Sequence, residues 1–198
     1  MISVQSGCLL GIAGFPITVE VDIRPGLPGF EIVGLPSASV KESRARVRSA
    51  MRNSGFQFPG QKVVVNLAPA DARKDGTLLD LAIALGILAH QGRVPREKLG
   101  GVLIAGELSL SGQVRPVPGA LALAALAEEL KCAFMFPEQN SLQAASIAGV
   151  QCMPVTSLQE VVLILQGKRE PRTLRHSDYT GERHPPPQED IVGQQQAK

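Results

Sequence analysis

Four basic residues recur at helical spacing within the segment 37–54, and they form the strongest chemical signal in the sequence. These residues, called here the basic stripe, are Lys41, Arg44, Arg48 and Arg52. They fall within roughly an 80° arc of a helical wheel, beside the face that carries the apolar residues. The segment holds five basic residues and one acidic residue, a net charge of +4 in a chain whose total is +2.

Three interpretations of the basic stripe remain open from the residues alone. It can be an ordinary solvent-exposed helix face, a surface for phosphate groups, or a surface that pairs with acidic residues on a neighbouring subunit. Arg73 and Lys74 lie in the loop that follows the next strand, and they would extend the stripe if the fold brings them near. These six residues are the candidate nucleic-acid-binding set.

Motifs for enzyme chemistry are largely missing. The single Gly-Lys pair, Gly167-Lys168, lacks the earlier glycine and the following Ser or Thr of a P-loop, so no tight ATP site is expected in this chain. The three histidines, His90, His176 and His184, are too far apart to suggest a metal cluster or a Ser-His-Asp arrangement. We therefore expect no cofactor and no metal in this chain.

Three aspartates, Asp71, Asp75 and Asp80, flank the predicted start of a helix. A pair of carboxylates there could serve general acid–base chemistry. Capping and the helix dipole already explain acidic residues at such a position, and we favour that interpretation. Thr77 and Asp80 have the spacing of a capping box, which predicts that Thr77 caps the helix.

Composition limits the class of protein. With 198 residues, 44% of them hydrophobic and 19% charged, the chain can bury one domain and is not a disordered polyelectrolyte. The three cysteines form no C-x-x-C pair, which favours a reducing cytoplasm. No signal peptide or membrane span is predicted. With no Trp and one Tyr, a platform of exposed aromatics for single-stranded nucleic acid is not expected, and the six Phe are assigned to the core.

The periodicity of apolar residues predicts the helices and strands on which these residues lie. The first 34 residues are β-rich, with a half-buried strand at 17–23. A helix over 40–54, capped by Ser37 or Ser39, follows. The strand 62–67 is apolar on both faces, which predicts a central strand of a sheet covered on both sides. A deeply buried helix then runs to about His90.

The second half alternates shorter elements. Strands are predicted at 102–105, 108–114, 133–136 and 151–155, and helices at 119–131, 141–148 and 158–165. This order predicts an α+β fold, a mixed sheet with packed helices. The fold is expected to end near Gly167, and the composition of residues 168–189 predicts a flexible, basic and Pro-rich linker.

Several blocks of sequence carry a resemblance to a known family. They are residues 26–36 (GLPGFEIVGLP), 40–44 (VKESR), 66–71 (NLAPAD) and 74–76 (KDG). Together they resemble the N-terminal domain of bacterial magnesium-chelatase-like AAA+ proteins of the YifB/ComM group. The likeness covers residues 1–167. Residues 190–198 look like the opening of the AAA+ module, so the resemblance implies that the ATPase would follow this chain.

That domain is similar to the Lon protease domain and the RadA C-terminal domain, which implies a ribosomal protein S5 domain 2-like fold. Active Lon proteases carry a Ser-Lys dyad after two short sequence blocks. The matching blocks here are residues 74–77 and 106–116, and Leu78 and Leu121 stand at the two dyad positions. Since leucine is neither nucleophile nor base, the resemblance implies a scaffold without peptidase activity.

The resemblance also implies a role for the parent protein. Members of this group are expected to be hexameric, ATP-driven helicases that assist branch migration in natural transformation, with ATP and Mg bound by the ATPase module. This chain would organise the ring and contact DNA through the basic stripe. The alternatives are a purely structural oligomerisation domain and a magnesium-chelatase-like subunit that remodels a partner protein. A role in binding a metallated tetrapyrrole is not supported, because the sequence shows no cluster of His or Cys residues.

Overall fold

The computed structural model describes residues 1–70, 74–174 and 176. The strands within them are β1 (Ile2–Leu10), β2 (Ala13–Arg24), β3 (Gly29–Val33), β4 (Lys62–Ala68), β5 (Val102–Ile104), β6 (Glu107–Leu108), β7 (Val114–Arg115), β8 (Ala133–Pro137) and β9 (Cys152–Val155). The α-helices are α1 (Ala38–Asn53), α2 (Asp80–His90), α3 (Ala120–Glu129), α4 (Ser141–Ala144) and α5 (Leu158–Leu165). This mixture of sheets and helices agrees with the α+β prediction.

The larger sheet has the strand order β1-β2-β4-β3. Strand β2 pairs antiparallel with β1 and β4, whereas β3 pairs parallel with β4. Strand β4 is internal, as predicted. Its burial alternates, however: Val63 and Val65 are buried, but Val64 and Asn66 are partly exposed. The described residues therefore cover one face of this sheet, and the prediction of a sheet covered on both sides is wrong.

A second, parallel sheet has the order β5-β8-β9, and β6 and β7 form a short hairpin. Helix α2 lies in the middle of the core, because every residue from Asp80 to Ala89 is buried. Gly86 lets this helix approach β2 closely, since a Cβ there would meet the Val21 side chain. The predicted deep burial of this helix is confirmed.

Helix α1 follows the sequence prediction closely. Ser37 is its N-cap and accepts a hydrogen bond from the Val40 N–H. The side that faces the core carries Val40, Ser43, Val47, Ala50 and Met51. The adjacent side of the helix, which carries the basic stripe, faces outward.

The predicted capping box at α2 is wrong. The helix begins at Asp80 and its N-cap, Leu79, makes no side-chain capping bond. The Thr77 hydroxyl instead donates to the carboxylate of Glu107. The Asp80 carboxylate is bound to Arg46, so neither half of the box is available for capping.

Residues 168–174 lie against the domain and do not form a free linker. Arg169 pairs with the buried Glu160 at 3.0 Å, Arg172 pairs with Glu138 at 2.6 Å, and the Leu174 N–H donates to the Cys152 carbonyl at 2.9 Å. Residue 175 and residues 177–189 of the predicted linker lie outside the described residues. The predicted AAA+ opening at 190–198 lies outside them as well.

Gly34, in the connection from β3 to α1, provides a test of this architecture. Its φ is +92°, and an added Cβ would overlap the Leu67 carbonyl of β4. We expect Gly34→Ala to lower the free energy of unfolding by about 2–3 kcal/mol or more, because backbone strain and overlap act together. Gly60→Ala is the control, since its Cβ would meet open space. Urea denaturation measures both, and equal stabilities would contradict the packing described.

Candidate nucleic-acid interface

The basic stripe occupies the exposed side of α1. All four of its side chains are exposed, and none belongs to the core side of the helix. From Lys41 to Arg52 the stripe extends about 16 Å along the helix axis. The sequence prediction of one positive surface on this helix therefore agrees with the geometry.

Two of the four cations are held in place by neighbouring groups. Arg44 donates from Nε to the Lys41 carbonyl at 3.0 Å and from Nη1 to the Phe30 carbonyl at 3.4 Å. The Arg48 guanidinium lies 4.8 Å from the centre of the Phe58 ring, a cation–π contact. These contacts leave charge at the surface while they restrict the two side chains.

A shallow groove of about 560 Å³ runs along the stripe. It is lined by Phe30, Lys41, Glu42, Arg44, Ala45, Arg48 and Ser49. Three cations thus face one carboxylate, and that carboxylate is exposed on the helix. The groove suits an extended anion such as a phosphate backbone, and it offers binding rather than bond-making chemistry.

Arg46, the fifth basic residue of α1, belongs to a different structure. Its Nε and Nη2 donate to the two carboxylate oxygens of Asp80 at 2.6 and 3.1 Å. Nη2 also donates to the Ser39 carbonyl and the Ser43 hydroxyl. Burial raises the pKa of Asp80, although hydrogen bonds from Arg46 and Ser43 act to lower it. The hydrogen bond to Asp80 raises the pKa of Arg46. Arg46 therefore joins α1 to α2, which the sequence interpretation did not foresee.

Lys74 does not extend the stripe, contrary to the sequence expectation. Its side chain is fully buried and its ammonium donates to the Pro69 carbonyl. The reason is the backbone: the Lys74 N–H donates to the Leu35 carbonyl, and the Lys74 carbonyl accepts from the Ser37 N–H. These bonds fix the loop beneath the start of α1. Arg73 and Asp71 lie outside the described residues.

The two dyad positions lie in different surroundings. Leu78 is buried, with 2% of its surface exposed, whereas Leu121 on α3 is 48% exposed. Neither side chain can transfer a proton or attack a carbonyl. The nearby Thr77 hydroxyl is bound to Glu107, whose carboxylate also lies 3.7 Å from Arg115.

The part of the chain that the structure describes holds neither a cluster of metal-binding side chains nor a helix that could span a membrane. No group of three or more His, Cys, Asp or Glu side chains there is arranged to hold a metal ion. No helix there combines the length and the apolar character needed to cross a bilayer.

Comparison with known proteins gives a family and several relatives. Residues 19–140 match the family described as subunit ChlI of Mg-chelatase. The chain is 39% identical over 195 residues to the uncharacterized protein YifB of Escherichia coli, and the aligned region covers 98% of this chain and 38% of YifB. It is 35% identical over 201 residues to the competence protein ComM of Haemophilus influenzae, covering 98% of this chain and 39% of ComM. An uncharacterized protein of Mycobacterium tuberculosis is 37% identical over 190 residues, with 95% and 38% covered. The chain thus spans less than two fifths of the length of these relatives.

Proposed function

The chain belongs to the family of the Mg-chelatase subunit ChlI, in its YifB/ComM group, and on this premise we propose that it is the non-enzymatic, DNA-contacting N-terminal domain of an AAA+ motor. The observation that carries the proposal is the basic stripe, four exposed cations on one face of α1 beside a groove. The stripe would bind the phosphate backbone and read no base sequence.

The contacts within the stripe favour phosphate binding over a merely solvated surface. A freely moving arginine loses rotamer entropy when it binds a phosphate. Arg44 and Arg48 have lost part of that freedom already, through the Phe30 carbonyl and the Phe58 ring. Asp80 neutralises the charge of Arg46, so the positive charge that remains on the helix is that of the stripe.

The parent protein is part of the proposal. The remaining three fifths of the relatives' length would hold the ATPase module with its ATP and Mg, assembled as a hexameric ring in the cytoplasm. The relative ComM is a competence protein, which supports a role in natural transformation, with branch migration of recombining DNA as the proposed activity. The S5 domain 2-like, Lon-related fold is also proposed, and leucine at positions 78 and 121 supports a fold without proteolysis.

Self-association is a second candidate role, favoured by a separate surface. The tip of the β1–β2 hairpin exposes Ile12 at 97% and Leu10 at 60%, and Leu121 is exposed on α3. The hairpin and α3 are neighbours, since Gly14 packs against the Ala122 carbonyl. Apolar side chains grouped in this way are typical of contacts between subunits. In this case the domain would organise a ring without touching DNA.

Binding across a salt series tests the proposal. A labelled 20-base-pair duplex and a four-way junction are titrated with the protein, and fluorescence anisotropy gives the association constant K. Four phosphate contacts predict a slope of log K against log salt near −3.6, or roughly a 150-fold loss of affinity between 50 and 200 mM salt. Duplexes of different sequence should bind alike. If the protein does not bind DNA at low salt, or if its affinity does not depend on salt, self-association becomes the better-supported function. Sedimentation of the same sample measures self-association.

A further inference from the structure

Two more shallow grooves continue from the Arg52 end of the basic stripe, and Phe56 lines both. The first, about 460 Å³, is lined by Arg52, Gly55, Phe56, Gln57 and Phe58. The second, about 450 Å³, is lined by Gly55, Phe56, Gln57, Gln91 and Arg93. We call the pair the Phe56 groove. It adjoins the stripe, because Phe58 in its first half is the ring that Arg48 covers.

The walls of the Phe56 groove are tied to the rest of the fold. The Phe56 N–H donates to the Met51 carbonyl at 2.9 Å, at the end of α1. Gln91 donates from Nε2 to the Gln57 carbonyl at 3.1 Å, which joins the loop to the end of α2. The Arg93 N–H donates to the Leu88 carbonyl, and the Arg93 carbonyl accepts from Gln166. A ligand would therefore meet a groove that is already formed.

The chemistry of this groove differs from that of the stripe. The stripe carries cations, which suit phosphates alone. The Phe56 groove combines a half-buried ring, which lines both halves, with one exposed arginine in each half, Arg52 in the first and Arg93 in the second, and Gln57 lines both halves as well. An aromatic ring with flanking arginines is the combination that binds a single-stranded nucleotide, because the base stacks and the phosphates pair with the cations. The sequence analysis assigned this phenylalanine to the core, and the partly buried side chain does pack against the core while it lines the groove.

We propose that the Phe56 groove binds an unpaired nucleotide of DNA whose duplex part lies on the basic stripe. The base would stack on Phe56, and its flanking phosphates would contact Arg52 and Arg93. Bases inside a duplex are stacked on each other and expose no ring face, so the groove selects DNA with unpaired bases at a junction or an end. This inference rests on the proposed function, and it specifies the substrate of the same surface.

The test compares overhangs that differ only in their bases. The same 20-base-pair duplex is prepared blunt, with a four-nucleotide thymidine overhang, and with a four-nucleotide abasic overhang that keeps the phosphates. Stacking of one base predicts that the thymidine overhang binds about 5- to 160-fold tighter than the abasic one. Anisotropy at fixed salt with the full 198-residue chain measures all three.

A variant assigns the effect to the ring. Phe56→Leu keeps an apolar side chain and should lose the advantage of thymidine over abasic DNA, while blunt-duplex binding and its salt slope stay unchanged. Phe15→Leu changes another half-buried phenylalanine, on β2, and should keep that advantage. If Phe56→Leu fails to fold, Gln57→Ala and Arg93→Gln take its place and should each weaken overhang binding at least threefold.

The outcomes separate the two proposals. If the blunt duplex binds with a steep salt slope but both overhangs bind alike, the Phe56 groove proposal is overturned and the stripe proposal stands. The same holds if Phe56→Leu is folded and keeps the thymidine preference. If no DNA binds at low salt, the stripe proposal fails and this inference fails with it.

Discussion

Replacing Arg46 with methionine is expected to lower the free energy of unfolding by about 3–5 kcal/mol, the cost of removing one partner from a buried ion pair. The wild-type guanidinium satisfies both oxygens of Asp80, a carboxylate with no solvent exposure. Methionine fills similar space without a donor. The variant therefore buries the Asp80 carboxyl with no cation beside it, so that the carboxyl either stays ionised without a partner or takes up a proton at a cost in free energy. Urea denaturation at pH 7 measures the loss.

The double variant Arg46→Met with Asp80→Asn isolates the orphaned charge. Asparagine keeps an oxygen that can accept from the Leu108 N–H, as Asp80 does at 3.3 Å. Because no unpaired charge is left, we expect the double variant to regain roughly half of the loss. If the double variant is no more stable than Arg46→Met alone, lost packing rather than charge explains the effect.

The pH dependence provides a second readout of the same pair. Burial already raises the pKa of Asp80, and removing Arg46 removes an interaction that lowers it. A carboxyl whose folded pKa lies above its unfolded value contributes stability below the unfolded pKa and loses it as pH rises through the folded pKa. The deficit of Arg46→Met should thus be smallest near pH 4 and grow toward neutral pH, whereas the double variant should not show this growth.

Local patterns account for what the sequence predicted well. The inner face of α1, its Ser37 cap and its basic stripe depend on residues within one helix, and a helical wheel contains that information. The alternation of Ile17, Val19 and Val21 likewise reports one strand with one covered face. These features needed no knowledge of which elements meet.

Contacts between distant segments account for what it did not predict. The Arg46–Asp80 pair joins residues 34 positions apart, and Thr77 meets Glu107 across 30 positions, so the capping box could not be separated from these competing partners. The sequence predicts Lys74 as an exposed loop cation, but backbone hydrogen bonds to Leu35 and Ser37 hold it beneath the start of α1. The Phe56 groove depends on Arg93, which follows α2 and shares no local pattern with α1. In each case the deciding partner comes from another element.

The basic stripe itself gives the prediction with the largest effect on binding. Changing Lys41, Arg44, Arg48 and Arg52 together to glutamine should weaken duplex binding at least a hundredfold at 50 mM salt, because each phosphate contact contributes to counterion release. The slope of log K against log salt should fall from near −3.6 toward zero. The stability of the fold should change little, since these side chains lie outside the core and Arg46 still pairs with Asp80.

A matched control separates the stripe from net charge. Arg24, Lys98, Arg115 and Lys131 are also exposed, lie outside the grooves along α1, and change the net charge equally when replaced by glutamine. A surface specific to α1 predicts that this control binds within about threefold of wild type, whereas attraction by overall charge predicts that both variants weaken together. Loss in the stripe variant alone would assign DNA contact to α1, and equal loss in both would mean that the arrangement of the four cations contributes nothing.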